Sequence, residues 1–335
     1  MQGKLFGQIN ALGFSLKDET MLSSLTLDVL KSSEIEGELL NYEQVRSSIA
    51  RKLGLEYAGM VYSDRDVDGV VEMMLDATQN HLTPLDDERL FGWHAALFPT
   101  GRSGMCKIET ACYRSGEMQV VSGPKGKEKV HFKAPAAKQV QHEMNVFLNW
   151  FNNDTKWDLV IKSAIAHFWF IIIHPFDDGN GRIARAISDL MLARSENSSQ
   201  RFYSLSNQIL QERKVYYEIL QRVQISDGDI TEWLVWFLNC MYRALENSEE
   251  SVKIVLRKAE FWDNHKETIL NSRQRLMLNK LFDGFEGKLK SSKWAKITKC
   301  SSDTALRDIK DLIEKGVLKQ EKTGGRSTNY ELVEF

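Results

Sequence analysis

His174-Pro175-Phe176-Asp177-Asp178-Gly179-Asn180-Gly181-Arg182-Ile183-Ala184-Arg185 is the segment from which the rest of this 335-residue chain is best read. It follows a strongly apolar run, Ala164 to Ile173, that reads as a buried helix. Pro175 disfavours continuing that helix through His174, so the imidazole sits at the end of a buried element where its orientation can be fixed. Gly179 and Gly181 permit backbone geometry that other residues resist and let a ligand approach the main chain closely. Helical patterning resumes at Arg182, so the loop delivers free N–H groups at a helix N-terminus, which is an anion site. Asp178 at its edge would repel phosphate unless Mg²⁺ bridges the two. Arg182 and Arg185, three apart on one helix face, can point at a single polyphosphate. His174 is then placed to act as general base for an incoming hydroxyl. A glycine turn or a helix-end histidine alone is ordinary. A base, a carboxylate, two glycines, an amide and two arginines in one short segment are not.

Outward from this segment the pattern is mostly helical. Ala137–Asn152, Val160–Ile173, Ile183–Arg194, Gln208–Gln224 and Ile230–Leu245 form a predicted bundle. A hairpin is predicted over 117–132, its strands joined by Gly123-Pro124-Lys125-Gly126. Towards the N-terminus, residues 18–55 are helical by period, with Leu22, Leu25, Val29 and Leu30 in a stripe before Ser32, and Val45 and Ile49 in a second. Val70–Leu97 continues as helix with a break near Thr83-Pro84-Leu85. A polar stretch around Glu246–Val252 precedes another helix. Predicted helices then cover Arg273–Phe282, Ser292–Thr298 and Asp303–Lys315, the last with Ser302 as N-cap. Val317–Gln320 and Asn329–Val333 follow around the turn Thr323-Gly324-Gly325. Three helices and a two-stranded ribbon make a winged helix-turn-helix pattern.

With 42% hydrophobic and 27% charged residues and a formal charge of −2, the whole molecule implies no polyelectrolyte partner. Residues 265–335 depart from this, with 15 Lys/Arg against 10 Asp/Glu. That basic tilt, with Arg307 and Lys310 on the third helix, suits DNA phosphates. Asp303, Asp308 and Asp311 weigh towards dimerisation or target docking instead. The longest apolar run is far short of the roughly 20 residues that cross a bilayer, so no membrane partner is expected. The start, Met1-Gln2-Gly3-Lys4, has no apolar signal core, which predicts a cytoplasmic protein. Four cysteines without CxxC pairing read as free thiols rather than zinc ligands or disulfides.

The 174–185 segment resembles, without a departure, the Fic family signature H-x-F-x-[DE]-G-N-G-R-x-x-R. The resemblance implies a mainly α fold: a Fic-type helical bundle with a β-hairpin flap, here with a C-terminal winged helix. It also implies an enzyme, a protein adenylyltransferase moving AMP from Mg-ATP to a Ser, Thr or Tyr hydroxyl of a target or of itself. By position His174 is then the catalytic base, Asp178 the metal ligand and Asn180 an α-phosphate holder. Gly179 and Gly181 form the anion hole, and Arg182 and Arg185 bind the β- and γ-phosphates. Ile183 and Ala184 belong to the same nucleotide-binding segment. The hairpin at 117–132 resembles the flap that holds the target by strand addition. Arg213-Lys214-Val215-Tyr216-Tyr217 resembles the helix closing the adenine pocket, with Tyr217 against the base and Ile171 lining it.

Ser32-Ser33-Glu34-Ile35-Glu36-Gly37 matches the family's inhibitory motif, [ST]-x-x-x-E-[GN]. Ser32 and Glu36 share a helical face, and a Glu36 carboxylate on Arg185 would occupy the γ-phosphate's place. Gly37 is expected to let that helix approach another closely, and Glu34 and Glu38 to be solvated. Residues Gln2 to Arg51 resemble the N-terminal extension of bacterial Fic proteins with a winged helix, which also suggests a homodimer. The expected division is 1–90, an N-terminal region with the inhibitory helix; 91–250, the catalytic core; and 265–335, the winged helix. Other readings keep the fold but remove AMP or use a different nucleotide or phosphate donor. A reading from another class is an ATP-sensing DNA-binding regulator.

Overall fold

In the computed structural model, residues 14–55, 60–122, 129–282, 285, 287–321 and 328–333, with Gly3 and Gly7, are described. Helices α1 (Phe14–Ile35), α2 (Tyr42–Leu53), α3 (Arg65–Gln79) and α4 (Asp87–Leu97) come first. Their ends have local causes. Asn41 and Asp86 accept from the N–H groups of Gln44 and Arg89, capping α2 and α4. Gly37 (φ 88°) and Gly54 (φ 70°) take the left-handed conformation that ends α1 and α2.

Strands β1 (Arg102–Ser103) and β2 (Cys106–Lys107) form a small antiparallel hairpin that the sequence reading lacked. Strands β3 (Gln119–Ser122) and β4 (Lys129–Lys133) form the expected one, with a register irregularity between Val120 and Val121. Its turn at 123–126 lies outside the described residues.

Helices α5 (Ala137–Asn153), α6 (Leu159–Ile173), α7 (Asn180–Glu196), α8 (Leu205–Gln211), α9 (Arg213–Gln224) and α10 (Thr231–Asn264) follow. The expected single helix over 208–224 is two, parted at Glu212, whose carboxylate is engaged by Arg243 and Trp236. The expected break at 246–252 is absent. Nothing in α10 is Gly or Pro, and its Glu and Lys residues are good helix formers.

Two compact units divide at Glu249/Glu250, inside α10. In the first, α6 and α7 pack together at the centre. Ile183, Ala184, Ala186, Ile187, Leu190, Met191, Leu192 and Ala193 of α7 are all fully buried. Each large apolar side chain so buried contributes roughly 1.5–3 kcal/mol. His167 on α6 lies at the heart of this core. Its Nδ1 is 2.9 Å from Ser188 Oγ and its Nε2 2.9 Å from Tyr216 OH. Ser188 in turn donates to the Ala184 carbonyl at 3.1 Å. Because Ser188 spends its proton there, His167 donates from Nδ1 and accepts the Tyr216 proton at Nε2.

The second unit holds α11 (Ser272–Phe282), α12 (Ser291–Thr298), α13 (Ser302–Glu314) and the ribbon β5 (Leu318–Gln320) with β6 (Tyr330–Leu332). Its core is built on Phe261, Met277, Leu278, Trp294, Ile309, Leu312 and Leu318. The N-cap of α13 is Ser301, accepting from Thr304 N–H, not the expected Ser302, which is the first helical residue. The turn at 323–325 lies outside the described residues. The four cysteines are free thiols. Among the described residues no helix is long and apolar enough to cross a membrane.

Two predictions follow from this packing. A Cβ on Gly69 would stand 1.8 Å from the Ala96 carbonyl oxygen, whereas one on Gly92 meets nothing within 4 Å. Gly69→Ala is expected to force α3 from α4 and cost about 1–3 kcal/mol, while Gly92→Ala stabilises by about 0.5–1 kcal/mol. Urea unfolding of the two variants checks the contrast. His167 is held neutral, its pKa pushed down to about 3 by burial and then by Arg185. The unfolded chain takes up this proton below about pH 6.5 and the fold does not, so stability falls as pH drops through that value. By pH 4.5 this loss is about 2–3 kcal/mol, and in His167→Gln the pH slope of unfolding is expected to flatten.

Candidate active site

Helix α6 ends at His174, which adopts a left-handed backbone (φ 49°, ψ 58°) and donates its N–H to the Phe170 carbonyl at 3.0 Å. Its Nδ1 lies 3.2 Å from the Ile171 carbonyl, which can only accept, so Nδ1 carries the proton and Nε2 the lone pair. Burial, and after it the nearby Arg114, push the imidazole pKa down, against the Ile171 carbonyl, Asp178 and Glu36, which raise it. The ring is therefore neutral at physiological pH.

The loop after it is closed on itself. Asn180 Nδ2 donates to the Phe176 carbonyl at 2.8 Å and its Oδ1 accepts from Phe176 N–H at 3.0 Å. The Asn180 side chain thus spends its polar atoms on holding the loop. Gly179 caps α7 with φ 79°, where a Cβ would be 2.9 Å from the Phe98 ring. Asp178 accepts from Gly179 N–H at 2.6 Å and from the Ser103 hydroxyl of β1. Asp177 accepts from Glu109 N–H at 3.0 Å.

The end of α1 lies against the first turn of α7. Glu38 N–H donates to the Ser33 carbonyl and Gly37 N–H to the Glu34 carbonyl, each at 3.0 Å. That pattern is a Schellman stop, with Glu36 as its C-cap. Glu36 Oε1 is 2.8 Å from Arg185 Nη1, and Tyr217 OH donates to Oε2 at 3.3 Å. Arg185 also donates from Nε to Ser32 Oγ (2.9 Å) and from Nη2 to the Ser32 carbonyl (2.7 Å). A Cβ on Gly181 would be 2.1 Å from Glu36 Oε1, so the missing side chain is what admits the carboxylate. Burial of Arg185 opposes its charge most strongly, but the Glu36 carboxylate, Tyr216 and Tyr217 together hold the guanidinium pKa above its ordinary value.

Ser32, Glu36, Gly181, Arg185 and Tyr217 are therefore brought together, with His174 and Asp178 on the adjoining loop. Tyr216 is core, whereas its neighbour Tyr217 is 40% exposed. Ile171 is buried one turn before His174. Ile183 and Ala184 have fully buried side chains, and Ile183 N–H is committed to the Gly179 carbonyl at 3.0 Å. What they offer a ligand is not their side chains.

Two expectations are corrected. Gly37 does not mediate close helix approach: a Cβ there would meet nothing within 4 Å, and its role is the left-handed turn. Glu38 is not simply solvated, because that turn carries it to Arg182, Oε2 to Nη1 at 2.5 Å. Arg182 is 3% exposed and its guanidinium lies 5.0 Å from the Phe98 ring centroid. Glu38, Phe98, Ser103 and Arg182 line a cavity of about 550 Å³, a size suited to a small-molecule ligand. Sequence reading missed Glu38, Ser103, Phe98 and Arg114 at this site. Each reaches it from a distant segment, and no local spacing announces such a contact.

Residues 84–192 match the model of the Fic/DOC family, and residues 1–55 match that of a domain of unknown function, DUF4172. Over 80 residues the chain is 38% identical to a protein of Aquifex aeolicus named as a probable protein adenylyltransferase, covering 24% of this chain and 23% of that one. It is 30% identical over 141 residues to the protein adenylyltransferase Fic of Nematostella vectensis, covering 40% and 31% respectively. The chain thus spans less than a third of the length of these relatives. Among solved structures, a Fic family protein from Desulfovibrio desulfuricans G20 aligns over 99% of this chain and 93% of its own, with 21% identity and a TM-score of 0.55. A Fic-domain signaling protein from Bacteroides thetaiotaomicron aligns over 76% of this chain and 96% of its own, with 18% identity and the same score. A mainly helical architecture, an intact signature loop and the match over the central helices agree: the fold is that of solved Fic family structures, and residues 84–192 match the Fic/DOC family model.

Proposed function

We propose that this chain transfers AMP from ATP to a hydroxyl of a protein, itself included, and that Glu36 holds the reaction in check. The observation that carries the reading is an imidazole whose Nδ1 is held by the Ile171 carbonyl, leaving Nε2 as its proton acceptor, beside a helix N-terminus where a carboxylate already stands on Arg185. In the reaction the target hydroxyl loses its proton to His174 Nε2 as its oxygen bonds to the α-phosphorus. The bond from that phosphorus to the β-phosphate bridge breaks, and pyrophosphate leaves. The unpaired N–H groups of the α7 first turn, with Arg182 and Arg185, oppose the charge on the phosphates. The buried Asn180 side chain acts by fixing the loop that presents them.

Asp178 is a fitting ligand for Mg²⁺. Among the described residues no cluster of three His, Cys, Asp or Glu forms a cage, and Mg²⁺ characteristically takes one or two carboxylates plus substrate oxygens and water. When bound, the metal supplies charge neutralisation at the phosphates. Glu36 and Glu38 together occupy both signature arginines, so a polyphosphate must displace two carboxylates to reach them. Tyr217, exposed beside Glu36, is the group offered to the adenine.

The test compares wild type, Glu36→Gly and His174→Ala with Mg²⁺ and ATP labelled at the α-phosphate. Glu36→Gly is expected to label at least about tenfold faster, equivalent to about 1.4 kcal/mol of competition removed, and His174→Ala not to label at all. Equal labelling by wild type and Glu36→Gly would remove the brake. Label arriving only from the γ-position would remove AMP transfer.

For residues 265–335 one observation favours a duplex-binding winged helix over a docking module. Asp308, counted from sequence against a basic surface, is 5% exposed and paired inward with Arg273 at 2.7 Å, while Arg307 and Lys310 are exposed. Duplex binding that weakens steeply with salt is the expected result. Binding indifferent to salt would favour docking.

A further inference from the structure

Arg114 is 3% exposed, and among the described residues its guanidinium donates to main-chain carbonyls. Its Nε donates to His174 O at 2.8 Å, and its Nη1 to Gly116 O at 2.7 Å. Its Nη2 donates to Pro135 O at 2.6 Å and to Ile173 O at 3.4 Å. Its own N–H donates to Pro175 O at 2.8 Å. These acceptors belong to two features. Ile173 and His174 carry terminal carbonyls of α6, which lack intrahelical partners. Gly116 precedes β3 and Pro135 follows β4, so they are the two feet of the hairpin.

We propose that Arg114 is a positioning residue that fixes the base His174 and both ends of the β3–β4 hairpin in one rigid frame. The left-handed backbone of His174 is costly for a non-glycine residue and persists only where its surroundings over-determine it. Arg114 supplies that constraint from outside the signature. A planar guanidinium presents five N–H donors in a fixed fork, whereas an ammonium has three donors on a flexible stem. Lysine keeps the charge and loses the frame. If the hairpin presents the target strand, one planar group sets the distance from the target hydroxyl to Nε2. That catalytic consequence rests on the AMP-transfer reading. The geometric claim does not.

The experiment uses the full chain carrying Glu36→Gly, with Arg114→Lys and Arg114→Met added separately. Histidine ¹⁵N spectra of the parent are expected to show His174 as one neutral tautomer protonated at Nδ1. Both Arg114 variants are expected to show a mixture of tautomers. ATP affinity by calorimetry is expected to stay unchanged, because Arg114 does not touch the α7 first turn. Labelling of the protein target should lose about 10²-fold in kcat, with KM for ATP unchanged and no rescue by lysine. A single unchanged tautomer in Arg114→Lys, or full kcat in that variant, would overturn the proposal. If Arg114→Met fails to fold, Arg114→Lys decides. If the parent never transfers AMP, the functional reading fails while the tautomer spectra still decide the role of Arg114.

Discussion

Arg185 has to find an anion. Its guanidinium is 1% exposed, and taking such a group out of water costs several kcal/mol unless a counter-charge and further acceptors accompany it. The chain supplies all of these from one place, the end of α1: the Ser32 hydroxyl, the Ser32 carbonyl and the Glu36 carboxylate. The docking of an N-terminal helix and the filling of an anion site in the core are consequently one interaction. Any ligand that satisfies Arg185 competes with α1 for it, and by linkage anything that strengthens the α1 contact weakens that ligand.

The helix has a second anchor independent of the arginine. Asp28, two turns before Glu36, accepts from the Ser204 hydroxyl at 2.6 Å and from Ser206 N–H at 3.1 Å. Leu22, Leu25 and Val29 bury its apolar stripe. Loss of the Glu36 contact alone therefore leaves most of the α1 interface in place. The Arg185 contact and the anchor are separate contacts on one element, which confines the competition at Arg185 to its last turn.

The sequence reading was strongest where the chemistry is local. The twelve residues from His174 to Arg185 carry their own turn, cap and helix start, and Ser32 and Glu36 share a face because four residues nearly complete a helical turn. What it missed depends on contacts between distant segments or on where a helix stops. Arg185 and Ser32 are 153 positions apart, and a three-residue step past the end of α1 puts Glu38 beyond any periodicity. The continuous α10 was missed for a different reason. The polar stretch around Glu246–Val252 reads as a separation between two helices, although Glu and Lys are unhindered in a helix and only Gly or Pro argues strongly for a break. The Gly37 misreading is similar: glycine serves close packing and left-handed turns alike, and only the empty space around its Cβ position separates the two.

The meeting of α1 and α7 also explains why two carboxylates, and not one, belong at this junction. The C-terminus of a helix carries partial negative charge and the N-terminus of another partial positive charge. Here the end of α1 faces the start of α7, so their terminal groups attract before any side chain is counted. The Schellman turn then places Glu36 and Glu38 on either side of Gly37, one reaching Arg185 and the other Arg182. A single carboxylate would leave one buried arginine facing the positive end of α7 without a counter-charge. A pair matches both cations, as a polyphosphate spanning the same turn would. Under the proposed reaction, the inhibited state therefore imitates the charge of the substrate it excludes. Glu38 is part of that imitation as much as Glu36, although only Glu36 falls within the recognised motif.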